Sequence, residues 1–401
     1  MKGLGGQMRV LVSGLLVALV LAGQAGAEDL NVYWKEGLRA DSADGAFKFK
    51  FGGRIMVDMA WFDVDPALDD EEDPLDEAVE FRRARLYFSG TIYDAVEFKA
   101  QYDFAGGEVT MKDVWLGIKH VGPGTVRVGH FKEPFSLEEI TSSKYITLME
   151  RSLANTFTPG RNVGIGYLGD ALDERITYGV GIFRETDDFG EFSGGSDYNL
   201  TARVTGVPLY EDKGEKLVHV GAAYSHKKLP GDEVRYRARP EAHLSTRFLD
   251  THDFEATEAN LVGLEAAVVF GPVSVQGEYI MSAVQSDEAG DPDFAGYYVE
   301  ASYFLTGEHR NYKLLEGAFD RVKPHRNLMA DGGFGAVQLT ARYSSVDLTD
   351  GAIEGGEMDD ITLGVNWYLN PNTRIMLNYI NADVDGVGEA DIVQMRFQID
   401  F

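Results

Sequence analysis

Apolar and polar residues alternate along most of this chain. Phe47, Phe49, Phe51, Ile55, Val57, Met59 and Trp61 share one parity, and Lys48, Lys50, Arg54 and Asp58 share the other. Successive side chains of a strand point to opposite faces, so this stretch has one greasy face and one charged face. It is also about twice the length of a strand in a soluble domain. The alternation returns at 96–104, 176–182, 273–281, 297–305, 337–343, 361–369 and 393–401, and more weakly at 79–90, 110–119, 125–131, 162–168, 198–204, 217–225, 261–270 and 374–380. Together these segments predict an all-β chain of about sixteen strands, an even number within the range of single-chain bacterial membrane barrels. No window sustains a helical period.

Short connections such as 270–272 and 369–372 punctuate long ones at 63–76, 132–160, 227–258 and 306–332. Short turns on one rim and long loops on the other is the layout of a transmembrane antiparallel barrel, with the long loops extracellular. A soluble sandwich or lipocalin-like barrel would bury the apolar face in a packed core, with few strands. Here a polar second face would enclose a lumen too wide for side chains to fill.

The N-terminus sets the compartment. Lys2 and Arg9 precede an apolar run at 10–21, and Ala25-Gly26-Ala27 precedes Glu28. That is the order of a secretory signal peptide over 1–27, cleaved between Ala27 and Glu28. Residues 28–44 read as a periplasmic lead-in and 45–401 as the barrel. No later apolar stretch is long enough to span a membrane as a helix. There is no cysteine, which removes disulfides, thiolate metal sites and cysteine nucleophiles.

The chain holds 37 basic and 65 acidic residues, a net charge of −28. Such a balance excludes nucleic acid as a partner. Much of the acid falls in expected loops, at 69–73, 187–188, 287–288 and 359–360. There it lies beyond a Debye length, about 8 Å at physiological salt, from a mid-pore site. Those clusters are open to two readings, plain solvation or divalent-cation bridges to lipopolysaccharide. G-x-S-x-G, H-E-x-x-H and P-loop signatures are absent, and the eight histidines lack ligand spacing. No enzyme activity, cofactor or metal is expected. Gly164-Ile-Gly-Tyr-Leu-Gly169 matches G-x-G-x-x-G, but no helix pattern follows it, so its glycines read as turn residues.

A pore selects anions by ringing a constriction with Arg and Lys. The polar parity supplies Lys48, Lys50, Arg54, Arg83, Arg85, Lys99, Arg127, Arg175, Arg203, Arg342 and Arg396, and the long connection after the fifth strand adds Lys132, Lys144, Arg151 and Arg161.

Several motifs resemble one family. Trp34-Lys-Glu-Gly-Leu-Arg39, Gly52-Gly-Arg-Ile55, Arg82-Arg-Ala-Arg-Leu86, Gly129-His-Phe-Lys-Glu-Pro-Phe-Ser-Leu137, Met149-Glu-Arg-Ser-Leu-Ala-Asn155 and Arg235-Tyr-Arg-Ala-Arg-Pro-Glu241 are similar to the phosphate-selective porins O and P of Gram-negative outer membranes. The resemblance implies a sixteen-stranded trimer, a constriction loop folded into the lumen, and passive uptake of phosphate or polyphosphate. It implies that Phe401 is read by the barrel assembly machinery. Combined with the lumen parity, it nominates Arg54, Arg83, Arg85, Lys99 and Lys132 as constriction residues, with Arg151 and Arg161 on the inward loop. The other readings are a weakly selective general pore and a structural or adhesive barrel with a closed lumen.

Overall fold

The computed structural model describes residues 30–69, 75–192, 197–330 and 332–401. The expected signal peptide and its Ala27–Glu28 junction lie outside them. Sixteen long strands form the wall. In chain order they are β1 (Phe47–Val64), β2 (Glu77–Ile92), β3 (Val96–Asp103), β4 (Thr110–Val121), β5 (Gly124–Lys132), β6 (Arg161–Ala171), β7 (Ile176–Arg184) and β8 (Asn199–Glu211). They continue with β9 (Lys216–Lys228), β10 (Glu258–Phe270), β11 (Val273–Gln285), β12 (Asp293–Phe304), β13 (Ala336–Asp350), β14 (Ile353–Asn370), β15 (Thr373–Val384) and β16 (Gly388–Asp400).

Each strand pairs antiparallel with the next. The last returns to the first, from Ala390 opposite Val64 to Asp400 opposite Arg54, so the sheet closes. Closure leaves no open edge inside a bilayer, which is why a sheet can span one at all. A hairpin of Leu30–Trp34 and Leu38–Ser42 adds to the foot of β1, where Leu38 faces Phe51 and Asp41 faces Lys48.

The alternation read from sequence is the two faces of this wall. On β14, Ile361, Leu363 and Val365 are 41–49% exposed on the outside, whereas Asp360, Thr362 and Asn366 are at most 1% exposed inside. Burial of the inner face shows that the lumen is well filled. Two loops from the long-loop rim, L3 (residues 133–160), with α1 (Leu137–Ile140), and L5 (residues 229–257), fill it together with a segment from the opposite rim. The sequence had suggested a wholly polar inner face. Instead Phe135, Leu153 and Phe157 of L3 and Tyr236 and Leu249 of L5 share an apolar cluster with inward Ile280, Phe294, Tyr298, Leu348 and Ile392.

Three expectations are corrected. Asp359 and Asp360, expected in a loop, lie within β14, with Asp360 buried on the inner face. Connection 306–332 was assigned to the extracellular rim by its length. The strand count puts 305–335 on the short-turn rim, which is periplasmic. From there it folds up into the lumen, where Tyr312, Ala318 and Phe319 pack on Leu137 of L3 and on Leu217 and Val269 of the wall. The glycines of 164–169 lie within β6 and not at a turn. A Cβ on Gly164 would stand 2.4 Å from the Ile182 carbonyl and 2.5 Å from the Phe183 ring, so the residue is small because aromatic side chains occupy the inner face there.

Candidate constriction and its place among known porins

L3 crosses the lumen because its two ends are held on different walls. At its start, buried Glu133 accepts from Asn162 and Asn199, both at 2.8 Å, and from Thr201. Ser136 caps α1 by accepting from Glu139 N, and the free N–H groups of Leu137 and Glu138 donate to Glu278 of β11 at 2.9 and 2.7 Å. Beyond the tip, Arg374 of β15 donates to Ile146 O, Asn366 of β14 to Thr147 O, and Met149 N donates to Asn378 of β15, at 2.7–2.9 Å. The tip between these anchors, Thr141-Ser-Ser-Lys-Tyr145, faces the foot of β1.

Six of the seven predicted residues lie on β1–β6; Arg151 is on L3 as expected, whereas Arg161, expected on that loop, is the first residue of β6. Arg54 is 6% exposed and donates to Ser143 Oγ at 2.7 Å and, more weakly, to Ser142 Oγ at 3.4 Å. It forms no ion pair with a described carboxylate. Arg83 has none either, and its Nε has no partner among the described residues. The other five are paired. Arg85 Nε lies 2.6 Å from Asp103. Lys99 at 2.6 Å and Arg161 at 2.9 Å share Asp113. Lys132 at 3.0 Å and Arg151 at 3.1 Å share Glu139. Burial alone would raise the Glu139 carboxyl, but Arg151 and Lys132 outweigh it and hold the group at about 2. The seven cations thus face three carboxylates, a surplus of four: one charge each on Arg54 and Arg83, and one on each pair that shares Asp113 or Glu139.

Three groups escaped the sequence reading. Strict alternation sends Arg82 outward. A bulge opposite Met56 and Val57 inserts one residue and turns it in, beside Arg83. There it makes a two-pronged bond to Glu150 of L3, both at 2.8 Å, and Arg396 reaches the same carboxylate at 2.7 Å. L5 brings Arg239 near Arg82, with Arg237 and Arg247 near Arg239. Burial and the charges of Arg82 and Arg237 lower the pKa of Arg239, and its side chain donates to carbonyls at His243 and Ser245. The quoted motif Arg235–Glu241 contained two of these arginines, but nothing in a loop's pattern says that it dips into a lumen. Below the tip, Arg321 of the periplasmic segment meets Asp400 and, at 3.1 Å, Tyr145 OH. Lys144 lies 3.5 Å from Asp400. Burial, with Arg54, Arg321 and Lys50 working against Asp400, lowers its ammonium to about 7. Cations therefore run from the L5 arginines past Arg82, Arg83 and Arg54 to Lys144 and Lys50. His130 and His219 are buried and hydrogen-bonded, to Lys112 O and to Glu265 and Tyr312 respectively.

Known proteins share this architecture. Over 88% of this chain and all of the other, the structure is similar to an anion-selective porin from Comamonas acidovorans, with a TM-score of 0.57 and 14% identity. It is similar at TM-score 0.55, again with 14% identity and over 89% of this chain and all of the other, to the trimer form of OmpT, an outer-membrane protein of Vibrio cholerae. These likenesses show the fold alone. In sequence, the chain is 27% identical to Porin O of Pseudomonas aeruginosa over 90% of its length and 88% of that protein's. It is 30% identical to an uncharacterized protein of Caulobacter vibrioides, over 92% of this chain and 77% of that one. Residues 49–401 match the family model of phosphate-selective porin O and P, and the chain, an outer-membrane β-barrel porin, belongs to that family.

Proposed function

We propose that this porin passes small anions of the phosphate type by diffusion along the cation track. The observation that carries the reading is Arg54. It faces the L3 tip with two seryl hydroxyls as its only hydrogen-bond partners among the described residues, so no described carboxylate cancels its charge where the lumen is crossed. A guanidinium fork with N–H groups to spare suits a tetrahedral oxyanion, and the seryl hydroxyls add neutral donors. Arg83 and the L5 arginines extend positive potential toward the mouth, which raises the local anion concentration. No step requires a cofactor, and catalysis has no part in this reading. Assembly as a homotrimer, recognition of Phe401 by the assembly machinery and contact with lipopolysaccharide belong to the same proposal.

A weakly selective pore is the second reading, and the pairing of five cations with Asp103, Asp113 and Glu139 favours it. The test is a reversal potential across a planar bilayer under a potassium chloride gradient, followed by phosphate titration of the chloride conductance. Anion preference with phosphate block supports the first reading. Equal permeability of chloride and potassium without block supports the second.

A further inference from the structure

The two loops inside the lumen are tied to one wall residue. Arg342 of β13 is 2% exposed, on the inner face of the wall. Its Nη1 donates to Glu138 of L3 at 2.9 Å and lies 3.7 Å from Glu300 of β12. Its Nη2 donates to the Glu150 carbonyl of L3 at 2.9 Å and pairs with Glu241 of L5. Each loop carboxylate is itself fully engaged. Glu138 accepts from Ser152 N at 3.0 Å and Ser152 Oγ at 2.8 Å, which closes the two arms of L3 on each other. Glu241 accepts from Ser344 and Thr362, and its own N–H donates to Asp360 at 2.8 Å. The loops also touch directly, with the Phe157 and Tyr236 rings 5.2 Å apart.

We propose that Arg342 is a positioning residue that couples L3 to L5, so that a change at the L5 anchor Glu241 moves the aperture formed by the L3 tip. The inference rests on the pore reading above, but not on the ion that is selected. A guanidinium fork shared by two loops has two bonded arrangements at most. Freeing one carboxylate leaves the other with a misdirected partner in a site with little water, where unpaired charge is costly. Neither loop can therefore relax alone. Glu138 lies next to Glu139 and four residues from Ser142, so a shift at Glu138 reaches Lys132 and Arg151 through Glu139, and Arg54 through Ser142 and Ser143, along one short segment of backbone.

Single-channel recording in potassium chloride tests this with E138Q, E241Q and their double variant. Coupling predicts that E241Q alone, although it touches no tip residue, raises open-channel noise. It also predicts that the two changes combine non-additively, by about five-fold or more in the ratio of open sub-states. R342K, which keeps the charge but loses the fork, should resemble E241Q. A lock supplies a readout that loss of stability would not move. A Cβ on Gly296 would lie 3.4 Å from the Ala154 Cβ but 2.9 Å from its Cα and 3.1 Å from the Ser345 carbonyl oxygen, so a disulfide there forms with L3 backing away from β12, and the chain has no native cysteine to compete. Oxidised A154C/G296C should silence the noise of E241Q, and reduction should restore it. Wild-type noise in E241Q, additive effects, or noise that survives the lock would each overturn the coupling. Absence of conductance from the wild-type chain would instead overturn the pore reading.

Discussion

Arg54 and Arg85 are neighbours across β1 and β2, yet their removal should have different consequences. Arg54 donates only to two seryl hydroxyls, and its other nitrogens have no partner among the described residues. It is a net charge with donors to spare. Arg85 sits 2.6 Å from Asp103, and seen from the passing ion that pair is close to a dipole. A hydrogen bond from a charged group is worth about 1.5–3 kcal/mol. R54Q should therefore raise the phosphate concentration that halves chloride conductance by roughly ten- to a hundred-fold. The neutral exchange R85Q/D103N leaves the local charge unchanged and should shift the same quantity by less than about three-fold. Planar-bilayer titration of each variant, after confirming a folded barrel by heat-modifiable gel mobility, gives both numbers. If R54Q blocks like wild type, or if the neutral exchange costs as much as R54Q, then unpaired charge does not set affinity and the argument for Arg54 fails.

Three further outcomes follow from the same geometry. Lys144, lowered to about 7 by burial and its cationic neighbours, is charged below that pH and neutral above it; chloride conductance should fall between pH 6 and 8, and a K144M pore that keeps the same slope would refute the assignment. E139Q releases Lys132 and Arg151, and a unit charge about 8 Å from the ion at an effective dielectric near 20 is worth ~2 kcal/mol before screening. With about half of that screened, the chloride-to-potassium permeability ratio should rise roughly five-fold, and an unchanged ratio would count against any selective role for this pair. G164A places a methyl against the Ile182 carbonyl and the Phe183 ring; overpacking costs about 1–3 kcal/mol, to be read as a lower urea midpoint in lipid vesicles, with an unchanged midpoint as the contrary result.

The wall was legible in the sequence because lipid and lumen impose a period of two on every strand. Ile361, Leu363 and Val365 show it as plainly in the residue order as in their exposure. The same rule failed at Arg82, since one inserted residue shifts parity and alternation alone does not reveal a bulge. The basic residues of β1–β6 could be named, but not their partners. Asp113 joins Lys99 to Arg161, and Glu139 joins Lys132 to Arg151, through contacts that depend on where L3 turns. Loops have no period, so the inward course of Arg237, Arg239 and Arg247 left no trace in the pattern. Loop length was a poor guide to the rim of 305–335, where counting strands settles the side.

The hairpin at the foot of β1 bears on how the cylinder finds its seam. β16 is followed by Phe401, whose backbone oxygen accepts from Gly53 N at 2.7 Å, and beyond it Leu38 already pairs with Phe51 on the same edge of β1. A Cβ on Gly37 would lie 3.5 Å from the Phe401 backbone carbon, so the turn of the hairpin abuts Phe401. A closing strand that slid two residues toward the periplasm would strike this doorstop. A one-residue slip would turn every side chain to the wrong face, but a two-residue slip keeps parity, and in one direction it is the hairpin, not parity, that bars it.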